Sequence, residues 1–433
     1  MQYLNIIYFL IISVYGYRFL QSDGKIVKGA LDSDQTYHYS GTELFWCLTF
    51  STGLLAFSFN VGINLMALRL LVLEILCLVG LKVAQESAII SFPLKIYFAY
   101  LVWITIGCFY SPAPFFGIRT VLKYLYPLLL CMFASAAVRD PEVFFKSSLF
   151  ARLVALITLI IGFIPYLEPF VFPGVYWYVT ARAINFISIM IFSLGMFYFT
   201  NQKKKNLIYT VIFLLPCLIW VFRTSIMGSL IAIMAFYFIK YKLKSLPIIA
   251  GVIVLGIIAV FTIPSLKEKM FYDDSVTIEE FTEGKIDENN LNTNMRKYMW
   301  EKLENRFYIG HEVAGCGTGT VQAYMYANSK EFGGINVPHS DFVQQKCDNG
   351  LIGLILYGAI AFFVFVDAFR TYWRYDEPAL QLCAIVAGAS MIGVYATLYS
   401  DNVVNYSMAT LSMPFGFYGM MLGLRRHADT QED

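Results

Sequence analysis

One histidine and a few cations outside the basic clusters are the residues of this sequence best suited to chemistry. His339 lies in the segment 338–342, at the end of a long polar stretch, and apolar residues resume at Gly350. An imidazole changes its charge near neutral pH and often serves as a general base. Because the flanking segments are apolar enough to lie in a membrane, we predict that His339 is a base at a membrane surface.

Arginines and a lysine near the ends of apolar runs form the second set. Arg182 follows a loop rich in proline, glycine and aromatic residues, Arg223 lies in a short link between two runs, and Arg119 and Lys123 occupy a similar position. A cation costs about 3 kcal/mol at the centre of a membrane helix and less at its end. A guanidinium binds a phosphate through two parallel hydrogen bonds. Together these residues favour a lipid diphosphate site; the alternative is that each side chain extends to lipid headgroups.

The composition is that of a polytopic membrane protein. Of the 433 residues, 58% are hydrophobic and 14% are charged, whereas soluble domains are about half apolar and about a quarter charged. Each apolar run must form a helix, because an unpaired backbone is too costly inside hydrocarbon. The first run lacks the features of a cleaved signal peptide and is predicted to be retained. We predict an all-α fold of 12 or 13 transmembrane helices from apolar runs near residues 2–20, 43–59, 61–81, 95–111, 119–138, 149–167, 183–199, 206–222, 224–240, 246–264, 349–369, 379–399 and 404–424.

Basic residues predict which side each loop faces. If the runs alternate, most lysines and arginines of the short loops fall on one side, which marks the cytoplasm. The long loop that contains His339 then faces outward. The residues on the cytoplasmic side are Lys25, Lys28, Lys82, Lys95, Arg139, Lys146, Lys203, Lys204, Lys205, Lys240, Lys242, Lys244, Arg370, Arg374, Arg425 and Arg426.

This arrangement predicts a transmembrane bundle over residues 1–264, an outward loop domain over 265–348, and C-terminal helices with a cytoplasmic tail over 349–433. The loop is too long and too polar for a simple connection. Near residues 294–305 it has the apolar period of a helix, and a glycine-rich turn follows at residues 315–319. We therefore predict a mostly helical loop domain.

Three further residues leave alternatives open. A disulfide between Cys316 and Cys347 is an option if the loop faces an oxidising compartment. Asp401 lies in the last outward turn, where it either lines a sugar site or caps a helix.

With these residues in place, the chain resembles the bacterial O-antigen ligase and O-antigen polymerase family over roughly residues 180–360. The resemblance rests on an ordered set of motifs: Arg182 before a mid-chain run, Arg223 in a tight hinge, Arg296 with Trp300 ahead of the glycine-rich turn, and His339-Ser340 followed after nine residues by Gly350-Leu-Ile-Gly353. The first 170 residues match only in being hydrophobic.

The resemblance implies a membrane glycosyltransferase that takes a glycan from undecaprenyl diphosphate, without a metal or another cofactor and with inversion at the anomeric carbon. Arg182 and Arg223 would hold the diphosphate and His339 would act as the base. Arg296, Arg119, Lys123 and Trp300 are further candidates for substrate binding. Asp341 is included with them, although a role in capping the next helix or orienting a neighbour fits its position better.

The implied location is a bacterial inner membrane, with the catalytic face in the periplasm. The expected partners are the lipid-linked oligosaccharide and membrane lipid, with a chain-length regulator as a further candidate and no nucleic acid. A polymerase joins one lipid-linked repeat unit to another, whereas a ligase moves the finished glycan to lipid A-core. We favour a polymerase of O-antigen or capsule from the residues around His339. A flippase for lipid-linked oligosaccharide is the alternative of a different class, but it commonly has internal repeats, and none is evident here.

Overall fold

The computed structural model of the chain is helical, as predicted, and adds one short hairpin in which β1 (Lys25–Lys28) pairs antiparallel with β2 (Thr36–Tyr39). Arg182, the loop before it and the first apolar run lie outside the described residues. The structure describes residues 25–28, 36–54, 65–84, 86–163, 183–219, 221–272, 276–283, 292, 296–401, 404 and 410–432.

The helices are numbered along the chain. Those before the long loop are α1 (Gly41–Ser51), α2 (Leu65–Val83), α3 (Phe92–Tyr110), α4 (Pro114–Ala137), α5 (Pro141–Phe163), α6 (Phe186–Phe199), α7 (Lys203–Ile219), α8 (Arg223–Tyr241) and α9 (Leu246–Thr262). The loop contains α10 (Pro264–Met270), α11 (Ile278–Thr282), α12 (Arg296–Phe307) and α13 (Thr320–Ala327). The last three are α14 (Asp341–Arg374), α15 (Pro378–Ser400) and α16 (Ser412–Glu432).

Within the described ranges, six segments are long and apolar enough to cross a membrane, so the chain is a multi-pass membrane protein. One of the six, Arg223–Thr262, comprises both α8 and α9. Helices α6, with 14 residues, and α7, with 17, also coincide with predicted runs but are shorter than the roughly 20 residues of a typical span. The described residues therefore account for part of the predicted number of spans.

Helices α8 and α9 form an antiparallel hairpin. At 1.5 Å per residue, a straight helix over both would reach about 60 Å, twice the thickness of the hydrocarbon core. The helix is broken at Lys242, whose φ is +52°. Leu230 and Gly256, at similar distances from this break, lie next to each other, which shows that the chain reverses there.

Helix α15 is the centre of the bundle, since 83% of its spanning window is buried. It contacts α6, α8, α14 and α16. The approach of α8 is closest at Gly228 and Gly393, where an added Cβ on Gly393 would lie 2.6 Å from the carbonyl oxygen of Gly228. Small residues permit such close helix packing in membranes. This crossing fixes the N-terminus of α8 beside the C-terminus of α15.

The basic residues predicted to be cytoplasmic gather at one end of the bundle. The Lys242 ammonium lies 3.6 Å from the centre of the Trp373 ring, and Arg425 forms a 2.9 Å salt bridge with Asp367. These contacts join the ends of α8, α14 and α16. The loop helices α12 and α13 lie at the opposite end, where α3 meets α4 and α15 terminates.

The long loop before α14 has a small apolar core of its own. Its buried members come from α12, α13, the 3-10 turn after α13 (Ser329–Phe332) and the polar first turns of α14: Met299, Leu303, Val321, Met325, Phe332, Val343 and Cys347. Because the beginning of α14 contributes to this core, the helix joins the loop domain to the membrane bundle.

The glycine-rich turn fastens the loop domain to that bundle. Gly315, Gly317 and Gly319 all have positive φ, and an added Cβ at any of them would lie within 2.6 Å of main-chain atoms. The amide of Gly319 donates to the carboxylate of Asp348 (3.0 Å), and the amide of Thr318 donates to the Gly107 carbonyl of α3 (3.2 Å). The turn is therefore held on both sides by main-chain contacts that only glycine permits.

A kink at Gly350 divides α14 into a polar first part and a membrane-spanning second part. Gly350 has φ +65° and ψ −165°, and an added Cβ would lie 2.3 Å from the Val313 carbonyl. Trp103 of α3 donates its indole N–H to the Asn349 carbonyl (3.0 Å). The kink turns the polar part of α14, which begins just after His339, away from the hydrocarbon.

Cys316 and Cys347 are both free thiols, which settles the alternative left open for them. Their main chains are joined by a 3.0 Å hydrogen bond from the amide of Cys316 to the carbonyl of Cys347. Burial, assisted by the charge of Asp348, raises the pKa of the Cys316 thiol to about 12. This cysteine is a packing residue in the present fold.

Candidate active site

His339 and Asp401 form a hydrogen-bonded pair at the end of the bundle opposite the basic clusters. The imidazole Nδ1 lies 3.0 Å from a carboxylate oxygen of Asp401. The carboxylate is 5% exposed and the imidazole 28% exposed, so the acid is buried behind a base that solvent reaches. An imidazole that donates from Nδ1 to a carboxylate keeps the lone pair of Nε2 for another proton. Nε2 has no hydrogen-bond partner among the described residues.

The backbone at His339 is unusual. Its φ is +49°, a left-handed conformation in which histidine is found more often than most residues other than glycine. Ser340 then starts α14 as its N-cap, since its hydroxyl accepts a hydrogen bond from the Val343 amide (3.1 Å). A left-handed residue directly before a capped helix aims the imidazole at the end of α15.

Helix α12 fixes the positions of both members of the pair. Arg296 donates to the carbonyl of Ser400, the residue before Asp401. Trp300 donates its indole N–H to the carbonyl of Pro338, the residue before His339 (2.6 Å). Residues four apart share one face of a helix. A single face of α12 therefore holds the two segments that carry the acid and the base.

Arg223 lies at the hinge predicted from the sequence. Val221 has φ +48°, a strained value for a β-branched residue, and α8 begins two residues later. Nη1 of Arg223 donates to the carbonyls of Lys269 and Asn292 (2.8 Å for the latter), while the Lys269 ammonium donates to the Val221 carbonyl (3.2 Å). This reciprocal pair ties the hinge to the loop domain.

The guanidinium groups of Arg223 and Arg296 retain unused donors. Both bind main-chain carbonyls through Nη1, and their other nitrogens make no hydrogen bond to the described residues. Asn292, which accepts from Arg223, is only four residues before Arg296, and the two cations repel each other. An oxyanion between them would relieve this repulsion and use the remaining N–H groups.

Lys123, Asp341 and Arg119 are the remaining candidates from the sequence. Lys123 is 4% exposed and is attracted by the carboxylate of Asp341. Asp341 also accepts from the Val404 amide (3.3 Å), and its own amide donates to the Asp401 carbonyl (3.3 Å). Asp341 therefore supports the segment around Asp401. Arg119 is half-buried beside the Phe116 ring, with its guanidinium carbon 5.7 Å from the ring centre.

Of the residues singled out from the sequence, the structure brings His339, Arg223, Arg296 and Trp300 into one connected set of contacts. Arg182 cannot be placed, since it lies outside the described residues. Asp401 is the functional candidate that sequence reasoning did not assign. Its signal was a carboxylate in the last outward turn, after a 23-residue span without any charged side chain.

Residues 208–358 match a protein-family model described as O-antigen ligase. This segment, about a third of the chain, is similar to the O-antigen ligase family. The matched segment runs from α7 into α14 and includes Arg223, Arg296, Trp300 and His339, whereas Asp401 lies outside it. No curated protein matches the chain.

The family match confirms the resemblance drawn from the motifs and identifies the chain as a membrane enzyme of the glycosyltransferase type. Enzymes of this family act on lipid-linked glycans, which supports the lipid-linked glycan substrate that the resemblance implied. A flippase has no support in this match.

Proposed function

We propose that this enzyme is a polymerase of polysaccharide repeat units in a bacterial inner membrane, with the site facing the periplasm. It transfers a glycan from an undecaprenyl-diphosphate donor to a sugar hydroxyl of a lipid-linked acceptor. The observation that carries the proposal is the His339–Asp401 pair beside two guanidinium groups with unused donors, at the end of the bundle opposite the basic clusters.

His339 acts as the general base. Its Nε2 accepts the proton of the acceptor hydroxyl as that oxygen attacks the anomeric carbon of the donor, and Asp401 stabilises the imidazolium that forms. The bond between the anomeric carbon and the diphosphate oxygen breaks, and its electron pair remains on the diphosphate. A single in-line displacement of this kind inverts the anomeric configuration.

Arg223 and Arg296 stabilise the diphosphate as it leaves. Their main-chain contacts hold the guanidinium groups in place before the substrate binds, so little reorganisation is needed when negative charge develops. Arg182 is proposed as a further cation of the same group from its position in the sequence. Removing one such contact is expected to cost roughly 3 kcal/mol, or about a hundredfold in rate.

The test is transfer by purified enzyme in proteoliposomes with a synthetic diphosphate-linked donor and acceptor. His339→Ala is expected to lose nearly all turnover while it retains donor binding. Arg223→Ala is expected to weaken donor binding as well as turnover. A His339→Ala enzyme with near-normal turnover would remove the base, and an Arg223→Ala enzyme with unchanged affinity and rate would remove the diphosphate contact.

A ligase is the second candidate, because the matched family model is described by that activity. The same geometry serves both reactions, so the products must distinguish them. A strain without the gene that accumulates glycans with a single repeat unit has lost a polymerase. A strain that accumulates long lipid-linked polymer, together with core that carries no glycan, has lost a ligase. That result would contradict the polymerase and favour the ligase.

A further inference from the structure

Tyr399 is exposed at the end of the most buried membrane helix. Its relative exposure is 59%, although 83% of the α15 window is buried. Tyrosines at membrane boundaries often anchor a helix among lipid headgroups. Here the beginning of α14 and the loop helix α12 lie against this turn, since Phe342 and Trp300 contact the Tyr399 ring. The exposed ring lies two residues before Asp401, the partner of His339.

Two neighbouring rings hold the tyrosine in a defined orientation. The centre of the Trp300 ring is 6.1 Å from that of Tyr399, with 66° between the planes, and Phe342 contacts it at 6.2 Å and 63°. Both contacts have the edge-to-face geometry that aromatic pairs favour. The ring is therefore fixed on two sides while more than half of its surface remains open.

The position of Tyr399 in the chain connects it directly with the site. The next residue, Ser400, accepts a hydrogen bond from Arg296, and the residue after that, Asp401, orients His339. Trp300 is connected to the same site through its hydrogen bond to the carbonyl of Pro338, the residue before His339. An open aromatic surface thus lies beside the base rather than beside the hinge that carries Arg223.

We propose that Tyr399 and Trp300 form a platform that binds a pyranose ring of the acceptor glycan. This inference rests on the proposed function, since it assumes that His339 accepts a proton from an acceptor sugar. The C–H groups on one face of a pyranose carry a partial positive charge and pack against the electron-rich face of an aromatic ring. Hydroxyls at the sugar's edge stay free, so one of them can point to Nε2 of His339.

The first experiment separates acceptor binding from turnover. In proteoliposomes, Tyr399→Ala is expected to raise KM for the acceptor about tenfold, with little change in KM for the donor, whereas Tyr399→Phe keeps the ring and the wild-type KM. Tyr298→Ala is the matched control, because this tyrosine is 52% exposed on α12 but two residues from Trp300 and hence on another face. An unchanged acceptor KM in Tyr399→Ala, or an equal rise in Tyr298→Ala, would overturn the platform.

The second experiment does not depend on activity. Saturation-transfer NMR would detect a soluble oligosaccharide of the acceptor's repeat unit bound to His339→Ala protein. Adding Tyr399→Ala is expected to reduce the signal several-fold, and Tyr399→Phe to leave it unchanged. Equal signals in all three proteins would contradict the platform. Failure of wild-type enzyme to transfer sugar, with the NMR contrast intact, would instead contradict the base chemistry and leave the sugar-binding surface standing.

Discussion

A carboxylate behind an imidazole performs two tasks at once. Asp401 accepts the Nδ1 proton of His339 and thereby selects the tautomer whose Nε2 is basic. Its negative charge also stabilises the imidazolium once a proton has been taken. Both tasks require a charged oxygen at this position. Replacing the carboxylate with an amide of the same size therefore removes both tasks while it preserves the packing.

Asp401→Asn is expected to lower kcat by about a hundredfold and to leave KM for the donor nearly unchanged, since Arg223 and Arg296 are untouched. The measurement is the initial rate in proteoliposomes at saturating donor. Asp376→Asn makes the same replacement at an exposed position just after α14 and should behave as wild type. A kcat near that of wild type in Asp401→Asn would reduce this aspartate to a structural residue.

Sequence reasoning singled out His339 but did not pair it with Asp401, and the reason is distance along the chain. His339 and Trp300 belong to one loop domain, and the order of their motifs is readable. Asp401 lies 62 residues after His339, beyond a complete helix hairpin. Only the packing of α14 against α15 brings the two together, and no local periodicity reports that packing. Asp341, in contrast, was predicted to cap the next helix or to orient a neighbour; it is the first residue of α14, and Ser340 before it provides the cap.

At the scale of elements, the approximate positions of the helices can be predicted from hydrophobicity, but the residues at which they begin and end cannot. The run predicted near residues 379–399 corresponds to α15 (Pro378–Ser400), because this helix is apolar throughout. The run predicted to begin at residue 349 belongs to a helix that begins at Asp341. Its first residues are polar, and the loop domain buries them. A hydropathy pattern reports contact with lipid and therefore misses a helix buried by protein.

The glycine-rich turn permits a test of close packing. Gly317→Ala places a methyl group 2.5 Å from the main chain of Ser111, in a residue with φ +103°. Gly310→Ala has the same backbone problem, with φ +85°, but no atom within 4 Å of the new methyl. We expect a loss of about 1–2 kcal/mol for Gly310→Ala from the left-handed backbone alone, and a clearly larger loss for Gly317→Ala. Thermal unfolding in detergent measures both, and equal losses would contradict the contact.

Cys316 offers a chemical probe of the same element. Because its pKa is raised to about 12, the reactive thiolate is scarce at pH 8. Iodoacetamide should modify Cys316 roughly a hundred times more slowly than an ordinary exposed cysteine, and at the ordinary rate after unfolding. Peptide mass spectrometry locates the adduct. Rapid modification in the folded protein would show that the turn is open to solvent.

At the scale of the molecule, the separation of charge predicts the orientation. The basic clusters and the site occupy opposite ends of the bundle, and basic loops remain in the cytoplasm. In cells with a permeable outer membrane, an impermeant maleimide should label Ala327→Cys, on exposed α13, and should not label Lys244→Cys at the basic end until the inner membrane is opened. The wild-type protein reports the background from the native thiols. The reverse pattern would invert the topology.

The glycine contacts described for residues 315–319 also decide what could be exchanged between related enzymes. Those glycines meet main-chain atoms of Ser111, Gly117 and Asp348 with no room for a side chain. In a chimera that takes only the outward loop from a relative, the surface of that loop would match the relative's helix ends and not those of this chain. The segment to exchange is therefore larger than the loop. A chimera designed to transfer a glycan preference must also include the α3–α4 corner and the first half of α14.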